Sequence, residues 1–587
     1  MQKSDIAEFF RQAVNYLETD KLVDAKKLFL KILAVEPKNV EALHLLGVVA
    51  IQSQNYFEAI DFLQQAITLQ GHRTEFYNNL GIAYKLAQHY PEAIEAFYQA
   101  LDLCPESSEI HLNLANILKQ LDNHKQADIH FRYIELLTAN PIKAHYQAAM
   151  SWLNMGHGNQ SIKCFAYIVR LKPDCAVSYT NLGCAYFQNG DQNSAIACFQ
   201  QALILQPDYP EAFYNLGVTQ QSQNQYELAI INYQHTLEFC PDHLDALKNL
   251  AYLAMKTQRI NESIHYYRQA LAIKPEDADL HASYSLTLLL NADFAQGWQE
   301  YEWRWRSKAS LHEMKRHFHQ PGWRGENLQN LSLFVYSEQG FGDTLQFCRY
   351  IKLLHALGCS RIIFECQPAL KTLMSQCFEA IADVIAVGET LPDFDRHCPL
   401  MSLPLMFGSD LDNIPAPIPY LWADKYLARQ WQSRLGTHHL LRVGLTWAGN
   451  PSADVDGSRS LLVSQLSPLF ELADIEFFSL QISQDYQQNQ NIIDHTSHLI
   501  DYTETAGLIS QLDLIISVDT SVAHLAGAMG KPVWLLSRFD GCWRWLLNRE
   551  DSPWYPNMRI FRQQEAGNWQ TIIEQVAISL KNATKNS

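Results

Sequence analysis

The chain has no C-x-x-C pair, no surplus of positive charge and no long apolar run, and each absence argues against a class of function. Its twelve cysteines are scattered, and Cys164 and Cys198 fall on apolar helix faces. That pattern suits reduced, buried thiols, with no disulfide framework and no structural metal. A formal net charge of −17 leaves no basic footprint for a phosphate backbone, so nucleic acid is not expected as a partner. No stretch approaches the roughly 18 uninterrupted apolar residues of a membrane span. The amphipathic start, MQKSDIAEFFRQ, lacks the apolar centre of a signal peptide. A cytoplasmic protein without a membrane span is expected.

What the first half contains is a repeat. With Ile6 as position 1, units of 34 residues begin at Ile6, Val40, Thr74, Ser108, Ile142, Ala176, Pro210, Leu244 and Ala278, without insertions. Position 32 holds proline at Pro37, Pro105, Pro173, Pro207, Pro241 and Pro275, which closes the second helix of a unit. Position 20 is small, from Ala25 and Ala59 through Ser161 to Ser263, so two helices can approach closely. Position 24 is aromatic in most units (Phe29, Phe97, Phe131, Phe165, Phe199, Tyr233, Tyr267), and these rings are expected to fill the space between neighbouring repeats.

These residues resemble the tetratricopeptide repeat family over roughly residues 6–311, and Tyr77 to Pro105 follows its pattern almost position for position. The resemblance implies an α-solenoid. Position 6, expected on its concave side, carries Asn79, Asn113, Gln147, Asn181, Asn215 and Asn249. Each amide offers a donor and an acceptor, so such a ladder can hold an extended polypeptide without reading its side chains. The protein O-linked N-acetylglucosamine transferases carry a similar ladder that binds polypeptide substrates. Asparagine is also common at this position in repeats of the family generally. The ninth unit ends in FAQGWQEYEWRWR, whose three tryptophans suggest either a cap on the solenoid or, as the favoured reading, a helix that docks on the next domain.

Past residue 311 the period stops. A polar stretch at 312–330 reads as a linker, followed by a first lobe at 331–424, a bridging segment at 425–440 and a second lobe at 441–587. The first lobe opens with a strand, Leu331 to Ser337, then the turn EQGFGDT and a helix. Gly340 and Gly342 let backbone approach a ligand, and Asp343 is either a base facing a cleft or an N-cap. In the second lobe, strand RVGLT runs into the polar loop WAGNPSADVDGSRS, which is either a ligand loop or a solvated one. The stretch Leu512 to Leu536 reads as strand, polar cap, helix, strand, and Asp519, Thr520 and Ser521 precede the helix. Free N–H groups at such a helix N-terminus favour a phosphate; the same pattern also occurs in an ordinary βαβ unit. Arg538 to Gln563 adds tryptophans beside this region, as a stacking surface, a lid or a corner of the core.

GDTLQFCRY and SVDTSVAHLAGAMGKPVWLL resemble the heptosyltransferase-like glycosyltransferases of family nine, over roughly Leu331 to Gln563. That resemblance implies a GT-B fold, a pair of Rossmann-like lobes with a cleft between them, so the fold class is α + α/β. It implies Asp343 as general base, and a nucleotide diphosphate sugar held by Gly340, Gly342, Thr446, Trp447, Asn450, Arg459, Asp519, Thr520, Ser521 and His524, with no cofactor or metal required. Ser521 stands where that family has glycine, and its second-lobe lysine has a counterpart only in Arg459, which leaves the donor's base and sugar open, hexosyl or heptosyl. Two other readings follow from the same residues. One is a non-catalytic repeat scaffold with a degenerate GT-B domain; the other is a sugar-nucleotide epimerase, which needs further cleft carboxylates.

Overall fold

Every repeat folds as two helices joined by a tight turn. The first helices begin where the period places them, as in Val40–Gln52, Thr74–Leu86, Ser108–Gln120 and Pro210–Ser222. The computed structural model describes residues 3–137, 140–307, 316–415, 417–437, 439–451, 456–482 and 491–585. Residues 308–315, at the expected end of the array, and 452–455, in the expected second-lobe loop, lie outside them.

The turns obey a rule that the composition hides. Repeat position 15 has positive φ in all nine units (Asp20, Gln54, Gln88, Asp122, Gly156, Gly190, Asn224, Gln258, Ala292), with values from 57° to 84°. The next N–H then reaches back over the helix end, as in Asn55 N to Ala50 O at 2.8 Å and His89 N to Tyr84 O at 2.9 Å. This is the Schellman closure, and only two of its nine positions use the glycine that would have announced it. Within a repeat, a Cβ on Gly81 would lie 2.7 Å from the Phe97 ring. The aromatic at position 24 therefore packs first against the small residue of its own repeat, as well as towards Ile110 and Leu114 of the next.

The chain divides into two compact units, Met1–His243 and Leu244–Ser587. The first contains seven repeats. The second contains repeats eight and nine together with two parallel sheets. The first sheet comprises β1 (Ser332–Tyr336), β2 (Arg361–Cys366), β3 (Asp383–Ala386) and β4 (Arg396–Pro399), in the order β3-β2-β1-β4. The second comprises β5 (Leu441–Thr446), β6 (Ile475–Ser479), β7 (Ile492–Ile493), β8 (Leu514–Val518), β9 (Val533–Ser537) and β10 (Met558–Arg562), in the order β10-β9-β8-β5-β6-β7. Counted from its own first strand, that is 3-2-1-4-5-6, the doubly wound order, with its switch point between β5 and β8. The buried apolar runs of β1 and β8 are what a parallel sheet covered on both faces requires. No helix among the described residues is long and apolar enough to cross a membrane.

Three expectations change in detail. The helix expected after Asp343 is two, Phe341–Phe347 and Tyr350–Ala356, broken at Cys348 and Arg349. Residues 316–330, polar in composition, are not a free spacer: Phe318 packs on Phe334 and Phe394, and Trp323 is buried and donates its backbone N–H to His397 O at 2.8 Å. The strands β4 and β10 carry charged or proline residues and were not legible as strands.

Repeat nine is built into the α/β region. Trp298 donates to Ser409 O at 3.1 Å and meets Phe347 and Trp543 edge-on. The Arg304 guanidinium, buried, reaches Glu338 through Nε at 2.9 Å and Nη2 at 3.0 Å, with Ser402 Oγ and Glu302 as further acceptors at 2.9 and 2.7 Å. Repeat eight adds the ion pair Lys256–Asp540 at 2.6 Å.

Candidate active site

A cleft of about 980 Å³ lies within the second unit, between the two sheets and the helices of repeats eight and nine. Three chain segments at the carboxyl ends of strands supply part of its wall. After β1 comes Gln339 to Asp343; after β5 come Thr446 and Ala448 to Asn450; after β8 come Asp519 to Val522. The last two flank the switch point of the second sheet, where strands on either side leave in opposite directions and loops part to form a crevice. Helix Ala278–Leu290 contributes Asp279, Ser283 and Leu286, and Ser283 stands at repeat position 6 of the ninth unit, the register of the amide ladder.

Of the residues expected here, Gly340, Gly342, Asp343, Thr446, Asn450, Arg459, Asp519, Thr520, Ser521 and His524 all line the cleft. Trp447 does not: it is buried in the core of the second lobe with Leu445, Leu461 and Val518, because side chains alternate across β5 and the following turn sends it below the sheet.

Asp343 is the third residue of its helix. Its Oδ2 accepts the N–H of Gly340 at 3.1 Å, the local bond that an N-terminal carboxylate makes, and its Oδ1 forms an ion pair with Arg544 of the second lobe. Arg544 also donates to Gln346 Oε1 at 3.0 Å and lies 4.2 Å from the Trp543 ring centre. Arg544 has no signal in the sequence, where an arginine between two tryptophans belongs to no motif. The tryptophans themselves, Trp543, Trp545 and Trp554, are buried and form a corner of the core.

On the second-lobe side, helix Ser521–Ala528 starts from Thr520, whose hydroxyl lies 3.0 Å from Ser517 Oγ and caps no N–H of its own helix. Ser521 Oγ pairs with Tyr502 OH at 2.7 Å. Arg459 donates to Asp519 O at 3.1 Å and to Asp456 at 3.1 Å. Thr446 Oγ1 and Arg459 Nε are buried polar atoms with no hydrogen-bond partner among the described residues. Unsatisfied buried donors and acceptors of this kind cost about 1–3 kcal/mol each, which a ligand's polar atoms would relieve. Among the described residues no group of three or more His, Cys, Asp or Glu side chains is placed to hold a metal ion.

Gly342 serves the contact between lobes. A Cβ there would meet His524 Cδ2 at 2.9 Å, so its missing side chain lets helix Phe341–Phe347 lie against helix Ser521–Ala528. His524 is buried, stacks on Trp545 at 5.1 Å and pairs through Nδ1 with Tyr555 OH at 2.9 Å. Burial pushes its pKa down from 6.5 to about 3; Asp519 opposes the shift, and Arg544 and Arg349 add to it. The imidazole is therefore neutral in the folded state. The unfolded chain takes up a proton as pH falls below 6.5 and the folded chain does not until about pH 3. Stability is thus fully present above pH 6.5 and falls by about 1.4 kcal/mol per pH unit between those limits. Urea midpoints of the wild type and His524→Gln, measured from pH 7.5 to 4.5, should differ in slope, with the variant showing the shallower decline and the gap between them narrowing as pH falls. Parallel profiles would mean that His524 is not protonated in this way.

The amide ladder occupies the first helices of repeats three to eight. Asn79 Nδ2 lies 2.8 Å from His44 Nε2, and Asn215 Nδ2 donates to Glu211 O at 2.8 Å, so part of the ladder's capacity is used within the array.

The helical repeats match tetratricopeptide repeat models, described as tetratricopeptide repeat at residues 38–106, 210–243 and 244–277 and as TPR repeat at 183–223. The chain therefore carries tetratricopeptide repeats ahead of an α/β region with parallel sheets. Among characterised proteins it is similar to Protein FlbA of Caulobacter vibrioides, 24% identical over 343 residues; the match takes in 52% of this chain and 56% of that protein's length. Among solved structures it is similar to MamA, 21% identical with a TM-score of 0.22, covering 34% of this chain and 97% of that one. A thermophilic TPR protein of Thermus thermophilus is 22% identical with a TM-score of 0.25, covering 31% and 100%.

Proposed function

We propose that the second unit is an inverting glycosyltransferase of GT-B type that uses a nucleotide diphosphate sugar, and that its acceptor is a polypeptide presented by the repeats. The observation that carries this reading is the convergence, in one cleft, of Asp343 from one lobe with the Asp519–Ser521 turn at the switch point of the other. In this reading the donor diphosphate lies at the N-terminus of helix Ser521–Ala528, beside Arg459. Asp343 accepts the proton of an acceptor hydroxyl as the oxygen bonds to the anomeric carbon. The bond from that carbon to the diphosphate breaks, and its electron pair leaves with the phosphate. Preorganised N–H groups and a guanidinium stabilise the charge that develops there. Asp279 and Ser283 of repeat nine lie along the same cleft, which suits an acceptor handed over from the repeat helices.

Protein interaction through the repeats stands with or without catalysis, and one feature favours a non-catalytic scaffold: the Asp343 carboxylate is already engaged by Arg544. Titration calorimetry of the full chain with ADP, UDP, GDP and CDP and their sugars separates the two. Binding of at least one nucleotide, lost on Thr520→Val with Arg459→Ala, is expected for the enzyme; silence across the panel would leave only the scaffold.

A further inference from the structure

We propose that Arg544 is a donor-operated latch: it holds the Asp343 carboxylate until an incoming diphosphate takes over its guanidinium, so that the base is released when the donor is seated. The inference rests on the donor-site reading above and adds an order of events to it.

The two partners come from different lobes, Asp343 from the helix after β1 and Arg544 from the loop after β9, and both line the cleft with Asp519, Thr520 and Ser521. While the pair holds, neither carboxylate oxygen is idle, since Oδ2 keeps the Gly340 N–H and Oδ1 keeps the guanidinium. While the guanidinium covers Oδ1, an acceptor hydroxyl has no open carboxylate oxygen to approach, so the latched state is a resting one. Arg544 is suited to change partner. Its plane is set by the Trp543 ring and by the bond to Gln346, and one terminal nitrogen has, among the described residues, the Cys542 sulfur at 3.6 Å as acceptor. Guanidinium binds phosphate oxygens bidentately, and a diphosphate carries more charge than one carboxylate. The competition is reciprocal: a group that gives up Arg544 to the donor must, when deleted, let the donor bind more tightly.

The test is calorimetry on the full chain with ADP, UDP, GDP and CDP, comparing wild type, Asp343→Asn, Arg544→Met, Arg544→Lys and the Asp343→Asn/Arg544→Met double variant. The latch requires that Asp343→Asn tighten binding of the cognate diphosphate about fivefold or more. It also requires that Arg544→Met weaken binding about tenfold, and that the gain from Asp343→Asn vanish in the Arg544→Met background. Arg544→Lys, which keeps the charge without the fork, should fall between wild type and Arg544→Met, and it serves should the methionine variant fail to fold. A gain from Asp343→Asn that persists without Arg544 would be simple relief of repulsion between anions, and the latch would fall. Wild-type binding with no gain in Asp343→Asn would also remove the latch while leaving the donor site. No binding by wild type or Asp343→Asn would remove both.

Discussion

Asp343→Asn should lower the rate of sugar transfer by about 10²–10⁴-fold, the contribution of a positioned general base. Asparagine keeps the shape of the side chain and an oxygen for the Gly340 N–H, so the helix start is preserved. What it removes is the ability to accept a proton. The measurement is a single-turnover rate with the donor found by calorimetry, at saturating donor, so that the tighter binding expected of this variant does not mask the loss. Unchanged transfer would take Asp343 out of the chemistry, whatever its hydrogen bonds.

Glu338→Ala should destabilise the second unit by about 3–5 kcal/mol, because it strands the Arg304 guanidinium, nearly inaccessible, without its principal carboxylate. Glu302 at 2.7 Å retains part of the charge balance, while the Met401 N–H that Glu338 accepts at 2.9 Å is also left unpaired. Twelve of the thirteen tryptophans lie in residues 244–587, so denaturation followed by tryptophan fluorescence reports on this unit. A paired replacement, Arg304→Met with Glu338→Leu, removes both charges and should recover more than half of the loss. A shift below about 1 kcal/mol for Glu338→Ala would show that water reaches Arg304 and that the pair does not anchor repeat nine to the first lobe.

Much of the local structure was legible because it repeats or alternates. β8 and β9 lie where their apolar runs place them, and the repeat helices start on the period. The losses have particular causes. The nine turn residues are mostly Gln, Asp and Asn, and nothing in those letters announces a left-handed backbone that only the helix end demands. β4, RHCP, and β10, MRIFR, are interrupted by arginine and proline, so neither reads as the apolar run of a buried strand. Trp447 sits among the residues of a polar loop, yet it faces the core because strand parity sends it there.

By itself, the sequence determined the repeat array, the presence of strand–turn–helix units after it, and which polar residues end those strands. Those properties are local, set by spacing, propensity and capping within one or two turns of chain. The tertiary structure alone decided that the strands order as 3-2-1-4-5-6 and that the turns after β1, β5 and β8 meet in one cleft walled by repeat nine. It also decided that Asp343 is held by an arginine 201 positions away. Strand order and cross-lobe ion pairs depend on which surfaces bury one another, and burial is a property of the whole fold.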